Sequence, residues 1–451
     1  MASASRSSPA SRCREPPLSK PGDASGGPVT KRLVFYCPGY DPESETRYRR
    51  LFVTGFAQTA RRFAIAREIG AVERDPEGLA QRWFVTASKG GWRTETQYEL
   101  LCWHDLVARD LGRSWLARLP LLIAAMTEAL RDRVIVQVFR IDWQFGLMML
   151  YPWASLMALL LAAFGVGYGA VSLLGLGLTI GVPIKIMLAS VIGAVLLRTA
   201  NAAIRKVFLY LMLDAWVFNW QHATGRRHDF EARLDRFCDH VIATISGSDA
   251  QEVLVVGHST GSVMAVQLTA RVLARAPDVG ECGRVLSLLT IGGELPLTAT
   301  VRKAEPLRRD IAAVARARSV LWVDYQAPQD PLNAHGFDPV RDLRLDLGGA
   351  PRVNPVVRSP RFKDLLSPET YRRIRYNFFR VHFQFLMANE IAGEYDFFTI
   401  ACGPVLLRDR VTNPAAALRT IYGTDFALPA YLVDTVEPGP VGIVEPQPRP
   451  A

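Results

Sequence analysis

Cysteine is scarce and scattered: six occur in 451 residues, at positions 13, 37, 102, 238, 282 and 402, with no C-x-x-C pair. That spacing excludes a zinc finger, an iron–sulfur ligand set and a disulfide scaffold, and suits a reducing compartment. Lysine is nearly as rare, with seven residues, so arginine supplies almost all of the 53 basic side chains and the net charge of +10. A basic surface attracts nucleic acid or anionic lipid. No helix-turn-helix signature, RNP motif or C₂H₂ spacing is present, so a nucleic-acid partner is not expected. Glycine (34) and proline (29) stay at ordinary levels, which excludes collagen-like and low-complexity architectures. With 49% hydrophobic and 21% charged residues the chain has the material for a large core. Its length suits two or three domains, or one large decorated domain.

Charge disappears altogether between Asp142 and Lys185, and after Lys185 the apolar run resumes to Leu197. A spanning helix needs about 20 apolar residues, so 143–197 suits two of them. The stretch GLMMLYPWASLMALLLAAFGVG gives the first, with Tyr151 and Trp153 as interfacial aromatics, and TIGVPIKIMLASVIGAVLL gives the second. The glycines between Gly165 and Gly177 supply the reversal. Lys185 inside the second span is expected to snorkel toward the interface. Arg131, Arg133 and Arg140 precede the segment and Arg198, Arg205 and Lys206 follow it, which places both flanks in the cytoplasm and requires an even number of crossings. The ends read differently. Residues 1–30 are rich in Ser, Pro and Gly without the apolar region of a secretory signal, and residues 437–451 are similarly loose, so both are expected to be disordered.

Residues 252–276 read EVLVVGHSTGSVMAVQLTARVLARA: a β-branched run, then Gly257-His258-Ser259-Thr260-Gly261, then helical periodicity. At a glycine frequency near 7%, roughly 0.1–0.2 G-x-S-x-G matches arise by chance in a chain this long. The strand before and the helix after are therefore what make the motif informative. A serine on a strained strand-to-helix turn exposes its Oγ, and the Thr260 N–H at the helix N-terminus is placed to stabilise an oxyanion. His258, beside the nucleophile, is expected to pack or to give polar support.

These residues resemble the serine esterases and lipases of the α/β-hydrolase family, and the resemblance runs from about Lys31 to Gly403, less the apolar insertion. It implies a mostly parallel sheet covered by helices, interrupted here by an inserted transmembrane helical hairpin. KRLVFYC followed by Pro38-Gly39-Tyr40-Asp41 looks like the strand and loop that donate the second oxyanion N–H, with Tyr40 as donor, although the family often has His-Gly where this chain has Pro38-Gly39. Strands are expected at 83–88, 97–103, 285–292 and 319–325, in helix-separated order, with helices at 230–246 and 307–318. The acid after a later strand is Asp330, with Asp324 as competitor. The base is His382, where a strand gives way to a helix, with His335 as competitor. His104, His222, His228 and His240 are read as surface or packing residues.

The expected layout is a disordered lead-in (1–30), a first hydrolase portion (31–142), the hairpin (143–197), a second portion with the elbow (198–436) and a loose tail (437–451). The expected chemistry is hydrolysis of an apolar or lipid-like carboxylic ester: Ser259 attacks, His382 moves the proton, Asp330 orients the imidazole, and Tyr40 and Thr260 N–H groups hold the oxyanion. No cofactor and no metal are implied, and membrane lipids are the expected surroundings. The rival readings are a non-catalytic membrane scaffold on the same fold and an amide or thioester hydrolase.

Overall fold

A computed structural model describes residues 27–174, 181–199, 208–280 and 283–433. The chain is an α/β protein built on one mostly parallel, nine-stranded sheet. Its strands are β1 (Lys31–Cys37), β2 (Ala66–Ile69), β3 (Glu73–Arg74), β4 (Ala80–Lys89), β5 (Trp92–Leu101), β6 (Glu252–His258), β7 (Val285–Ile291), β8 (Val320–Tyr325) and β9 (Val356–Arg358). They lie in the order β2-β4-β5-β1-β6-β7-β8-β9, with β3 beside β4. From β5 to β9 every pairing is parallel, and β1 sits between β5 and β6.

Alternation along the strands splits the core into two halves, because successive side chains point to opposite faces. Leu33, Phe35, Val253, Val255, Leu288 and Trp322 enter one half, covered by the helices His228–Ser246, Gly261–Arg275 and Glu305–Arg316. Val34, Tyr36, Leu254, Val256, Leu289 and Tyr325 enter the other, covered by Ser44–Phe63 and Phe397–Cys402. Both faces are thus dry, which is why β6 is apolar from end to end apart from Glu252 and His258. Each such side chain contributes about 1.5–3 kcal/mol on burial.

Glu252 is buried because it is paired. Arg32 Nε donates to Glu252 Oε2 at 2.8 Å, and Glu252 Oε1 accepts from Ser287 Oγ at 2.8 Å and Leu407 N at 3.0 Å. The rest of the Arg32 guanidinium reaches the Gly403 and Val405 carbonyls at 2.7 and 2.8 Å. One satisfied ion pair therefore joins β1, β6, β7 and the C-terminal segment.

Several elements depart from the sequence reading. The segments 83–88 and 97–103 are not helix-separated parallel strands. They belong to β4 and β5, an antiparallel hairpin closed by Gly90-Gly91, with Gly90 at φ 57°. Residues 27–30 are already held: Val29 is buried, its N–H donates to the Pro404 carbonyl at 2.7 Å, and its carbonyl accepts from Thr94 Oγ1 at 2.8 Å. The expected disorder of 1–26 and 437–451 falls outside the described residues.

The apolar segment forms two helices, Trp143–Leu174 and Val182–Thr199, each long and apolar enough to cross a membrane. The first begins inside the globular body. Phe145, Met148 and Met149 join the core, and Trp216 Nε1 donates to the Met149 carbonyl at 2.9 Å. Farther on, Met157, Leu160, Leu161, Val166, Leu173 and Leu174 are exposed, so the free part lies later in the chain than the expected 146–167. From Met157 it measures about 27 Å, as does the 18-residue second helix, close to a hydrocarbon core of about 30 Å. Gly165, Gly167 and Gly169 do not form the reversal but lie within the first helix. A Cβ at Gly167 would collide with the Ala189 carbonyl, and one at Gly193 would stand a tight 3.1 Å from the Ala163 carbonyl oxygen, so small residues let the two backbones approach closely. The stretch that links the two helices, 175–180, lies outside the described residues. Lys185 lies in the first turn of the second helix, where an ammonium reaches a helix end.

Candidate active site

Register brings the C-terminal ends of the central strands together: Cys37 is opposite Gly257, His258 opposite Ile291, and Ile291 opposite Tyr325. Loops leaving one edge of a parallel sheet are where ligands bind in such folds. Ser259 leaves β6 there with φ at 57°, a left-handed conformation costing a non-glycine residue about 1–2 kcal/mol. Three bonds hold it: Ser259 N to the Ile291 carbonyl at 3.2 Å, and Ser262 N and Oγ to the Ser259 carbonyl at 3.0 and 2.7 Å. The flanking glycines are required by crowding. A Cβ at Gly257 would stand 2.6 Å from the Gly261 carbonyl oxygen, and one at Gly261 would collide with the Cys37 carbonyl.

Asp330 sits in the loop after β8, 1% exposed, and its Oδ2 lies 2.7 Å from His382 Nδ1 while its Oδ1 accepts from Leu332 N at 3.0 Å. His382 does not follow a strand. NFFRVH forms a short helix, Phe378–His382, because Asn377 caps it by accepting from Arg380 N at 3.0 Å. Burial alone would lower the His382 pKa, but the Asp330 and Glu294 carboxylates outweigh it and hold the imidazole above its ordinary value. Its Nε2 makes no hydrogen bond among the described residues.

Glu294, absent from the sequence reading, is the third group at the serine. Ser259 Oγ donates to Glu294 Oε1 at 2.9 Å, and Thr260 Oγ1 donates to Oε2 at 3.0 Å. The serine hydroxyl is therefore turned toward this carboxylate and not toward His382. Burial raises the Glu294 pKa, against the pull of His382 and the two hydroxyls. Only the Gly292-Gly293 pair closing β7 hinted at a special loop there.

On the other side stands His258, fully buried, its Nδ1 3.1 Å from Tyr48 Oη and its Nε2 3.3 Å from the His382 carbonyl. Tyr48 Oη also accepts from Gly39 N at 3.1 Å. A carbonyl requires a proton on His258 Nε2, so Nδ1 accepts from the tyrosine. Burial and the neighbouring His382 hold its pKa well below the ordinary value, and it stays neutral. The loop after β1 is thus tied over the elbow: a Cβ on Gly39 would lie 3.1 Å from Ser259 Cβ. The Tyr40 and Thr260 N–H groups find no protein acceptor among the described residues. Tyr40 Oη donates to Asp110 Oδ2 at 3.1 Å, which holds the Tyr40 side chain. A cavity of about 280 Å³ opens over Ser259, Thr260, Tyr40, Glu294 and His382.

The competing residues lie elsewhere in the bonding pattern. Asp324 accepts from Thr290 Oγ1 at 2.6 Å and Gln326 Nε2 at 2.7 Å, and burial pushes its pKa up to about 6. His335 is exposed, its N–H on Asp142 Oδ2 at 3.2 Å. His222 bonds Gln267 at 2.8 Å and His240 bonds Glu99 at 2.5 Å. Glu45, Cys102 and His104 have ligand atoms within 4.8 Å of one another, but Arg74 already pairs with Glu45 at 2.9 Å and burial keeps the Cys102 thiol protonated. Compared with known protein families, with characterised proteins and with solved structures, the chain matches none, so the chemistry of this site rests on its own geometry.

Proposed function

We propose that this chain is a serine hydrolase of the α/β-hydrolase type, cleaving a carboxylic ester beside a membrane. One observation carries the reading: Ser259, in left-handed backbone at a strand-to-helix turn, shares a cavity with a buried imidazole whose far nitrogen is held by Asp330. A nucleophile, a base oriented by an acid, and unoccupied N–H donors are the parts acyl transfer needs. In the reaction the Ser259 hydroxyl leaves Glu294 and gives its proton to His382 Nε2 as Oγ bonds the acyl carbon. His382 returns that proton to the departing alkoxide, and water repeats the sequence on the acyl-enzyme. Tyr40 and Thr260 N–H groups meet the oxyanion.

The membrane part rests on the two exposed apolar helices. It is extended by Leu116, Leu119, Ile123 and Leu130, all exposed along one side of the helix Trp115–Arg131 while Leu122, Ala125 and Ala129 are buried on the other. The arginines at both flanks favour a cytoplasmic catalytic body anchored by a two-pass hairpin. A fluorophosphonate probe should label the parent protein and not Ser259→Ala. Equal labelling of the two, or rapid hydrolysis of a short acyl ester by the alanine variant, sinks the reading.

A further inference from the structure

The cavity beside Ser259 has an apolar wall and, among the described residues that line it, a single unpaired cation. Met149, Phe208, Met212, Trp216 and Phe379 form the wall, and they come from the base of the first apolar helix, from the chain returning after the second, and from the segment before His382. Phe208 and Phe379 touch with ring centroids 4.4 Å apart. Most charges lining the cavity are matched. Arg47 meets Asp41 at 2.7 Å and Glu43 at 2.9 Å, and His382 meets Asp330. Glu294 accepts from two hydroxyls.

Arg380 is the exception. It is half-buried on the cavity wall, makes no ion pair among the described residues, and gives one side-chain hydrogen bond, to the neutral Gln384 Oε1 at 2.7 Å. Burial and the Arg373 charge both lower its pKa. Glu390, whose field reaches it, spends its carboxylate on Ser367 N and Thr370 Oγ1 at 2.7 and 2.8 Å. A guanidinium left this way beside an apolar surface keeps further donors in one plane that meet no acceptor among the described residues, the geometry that phosphate and carboxylate groups fill.

We propose that the ester taken by this site is an anionic amphiphile: its phosphate or carboxylate group lies on Arg380 and its acyl chain lies on the wall at the base of the hairpin. This rests on the hydrolase reading and names its substrate class. The chain's surplus of arginine draws such molecules toward the protein. An acyl chain already in a bilayer reaches the wall beside the emerging helices without crossing water.

The test uses the full-length protein in neutral detergent with two substrates of one acyl length, a monoacylglycerol and the corresponding monoacylglycerol phosphate. The parent should favour the phosphate ester in kcat/KM. Arg380→Gln should cut that preference about tenfold, through KM and not kcat, and Arg380→Lys should recover part of it. A loss shared equally by both esters would make Arg380 structural and overturn the proposal. So would a parent that cleaves both esters equally well. A second measurement needs no variant: on the parent, dodecyl phosphate should inhibit cleavage of the neutral ester at least tenfold more strongly than dodecanol, and equal inhibition overturns the proposal. If the parent cleaves neither ester and takes no fluorophosphonate label, the hydrolase reading itself falls, an outcome distinct from loss of anion preference.

Discussion

His258 and His382 stand with ring centroids 4.7 Å apart at the same sheet edge, both buried, yet they belong to regions of opposite electrostatic character. On the side of the β1 loop, His258 bonds a tyrosine hydroxyl and a carbonyl and no carboxylate among the described residues, and burial with the neighbouring His382 lowers its pKa. On the side of the β7 and β8 loops, His382 sees Asp330 and Glu294, and its pKa rises. Burial is common to both, so the difference comes from the acids. A neutral, fixed imidazole is a spacer that carries hydrogen bonds. An imidazole whose charged form is stabilised is suited to accept a proton.

The largest expected effect breaks the pair apart. His382→Ala should lower kcat for a short ester by roughly 10⁵–10⁶-fold if it is the base, whereas His258→Gln should keep turnover within about tenfold of the parent. Similar losses in both would erase the distinction between spacer and base. Next comes Asp330→Asn, expected to cost roughly 10⁴-fold by leaving the imidazole unsupported and in the wrong tautomer. Arg32→Ala, far from the chemistry, should instead cost about 3–5 kcal/mol of stability by stranding Glu252 without its partner, read by urea unfolding.

Smaller effects separate the two histidines by pH. His258 has a depressed folded pKa, so its contribution to stability is complete above about 6.5 and is lost as pH falls below that, by up to about 1.4 kcal/mol per unit. His258→Gln should therefore flatten the acid side of a plot of Tm against pH. His382 has the opposite sign: its contribution is present below about 6.5 and fades as pH rises through its elevated folded value. The smallest effect is on the rate profile. If His382 is the base it must be neutral to act, and kcat/KM should then rise through a pKa above the ordinary histidine value. Glu294→Gln should move that limb to lower pH, though less than Asp330→Asn does in its residual activity, because Asp330 is the stronger of the two influences. An unmoved limb would remove Glu294 from the electrostatics of the base.

What the amino-acid order disclosed follows from how local each signal is. The turn at Ser259 is written in adjacent residues, a β-branched strand, two glycines and a helix, so both its position and its strain were legible. The apolar helices were legible for the same reason, although composition could not say that the first would spend its opening turns in the core. Glu294 was not legible. Its meaning depends on β7 lying beside β6, and strand order is a property of the whole sheet. The short helix ending at His382 reads as strand in the sequence because Phe and Val favour strands, and only the Asn377 cap points the other way. The Gly90-Gly91 pair between two strand-like runs was an available hairpin signal that helix-separated order concealed.

The central place of β1 has a consequence for how the protein is made. Its two neighbours are β5, finished by residue 101, and β6, which begins at residue 252. As the chain leaves the ribosome, β1 keeps a bare, apolar edge while both hydrophobic helices are synthesised. The sheet closes only when the polypeptide has returned from them. During that interval an unpaired strand of KRLVFYC is a template for pairing with another nascent chain. Synthesis stopped anywhere between residues 142 and 252 should therefore yield an insoluble fragment, with the edge of β1 as the surface that aggregates.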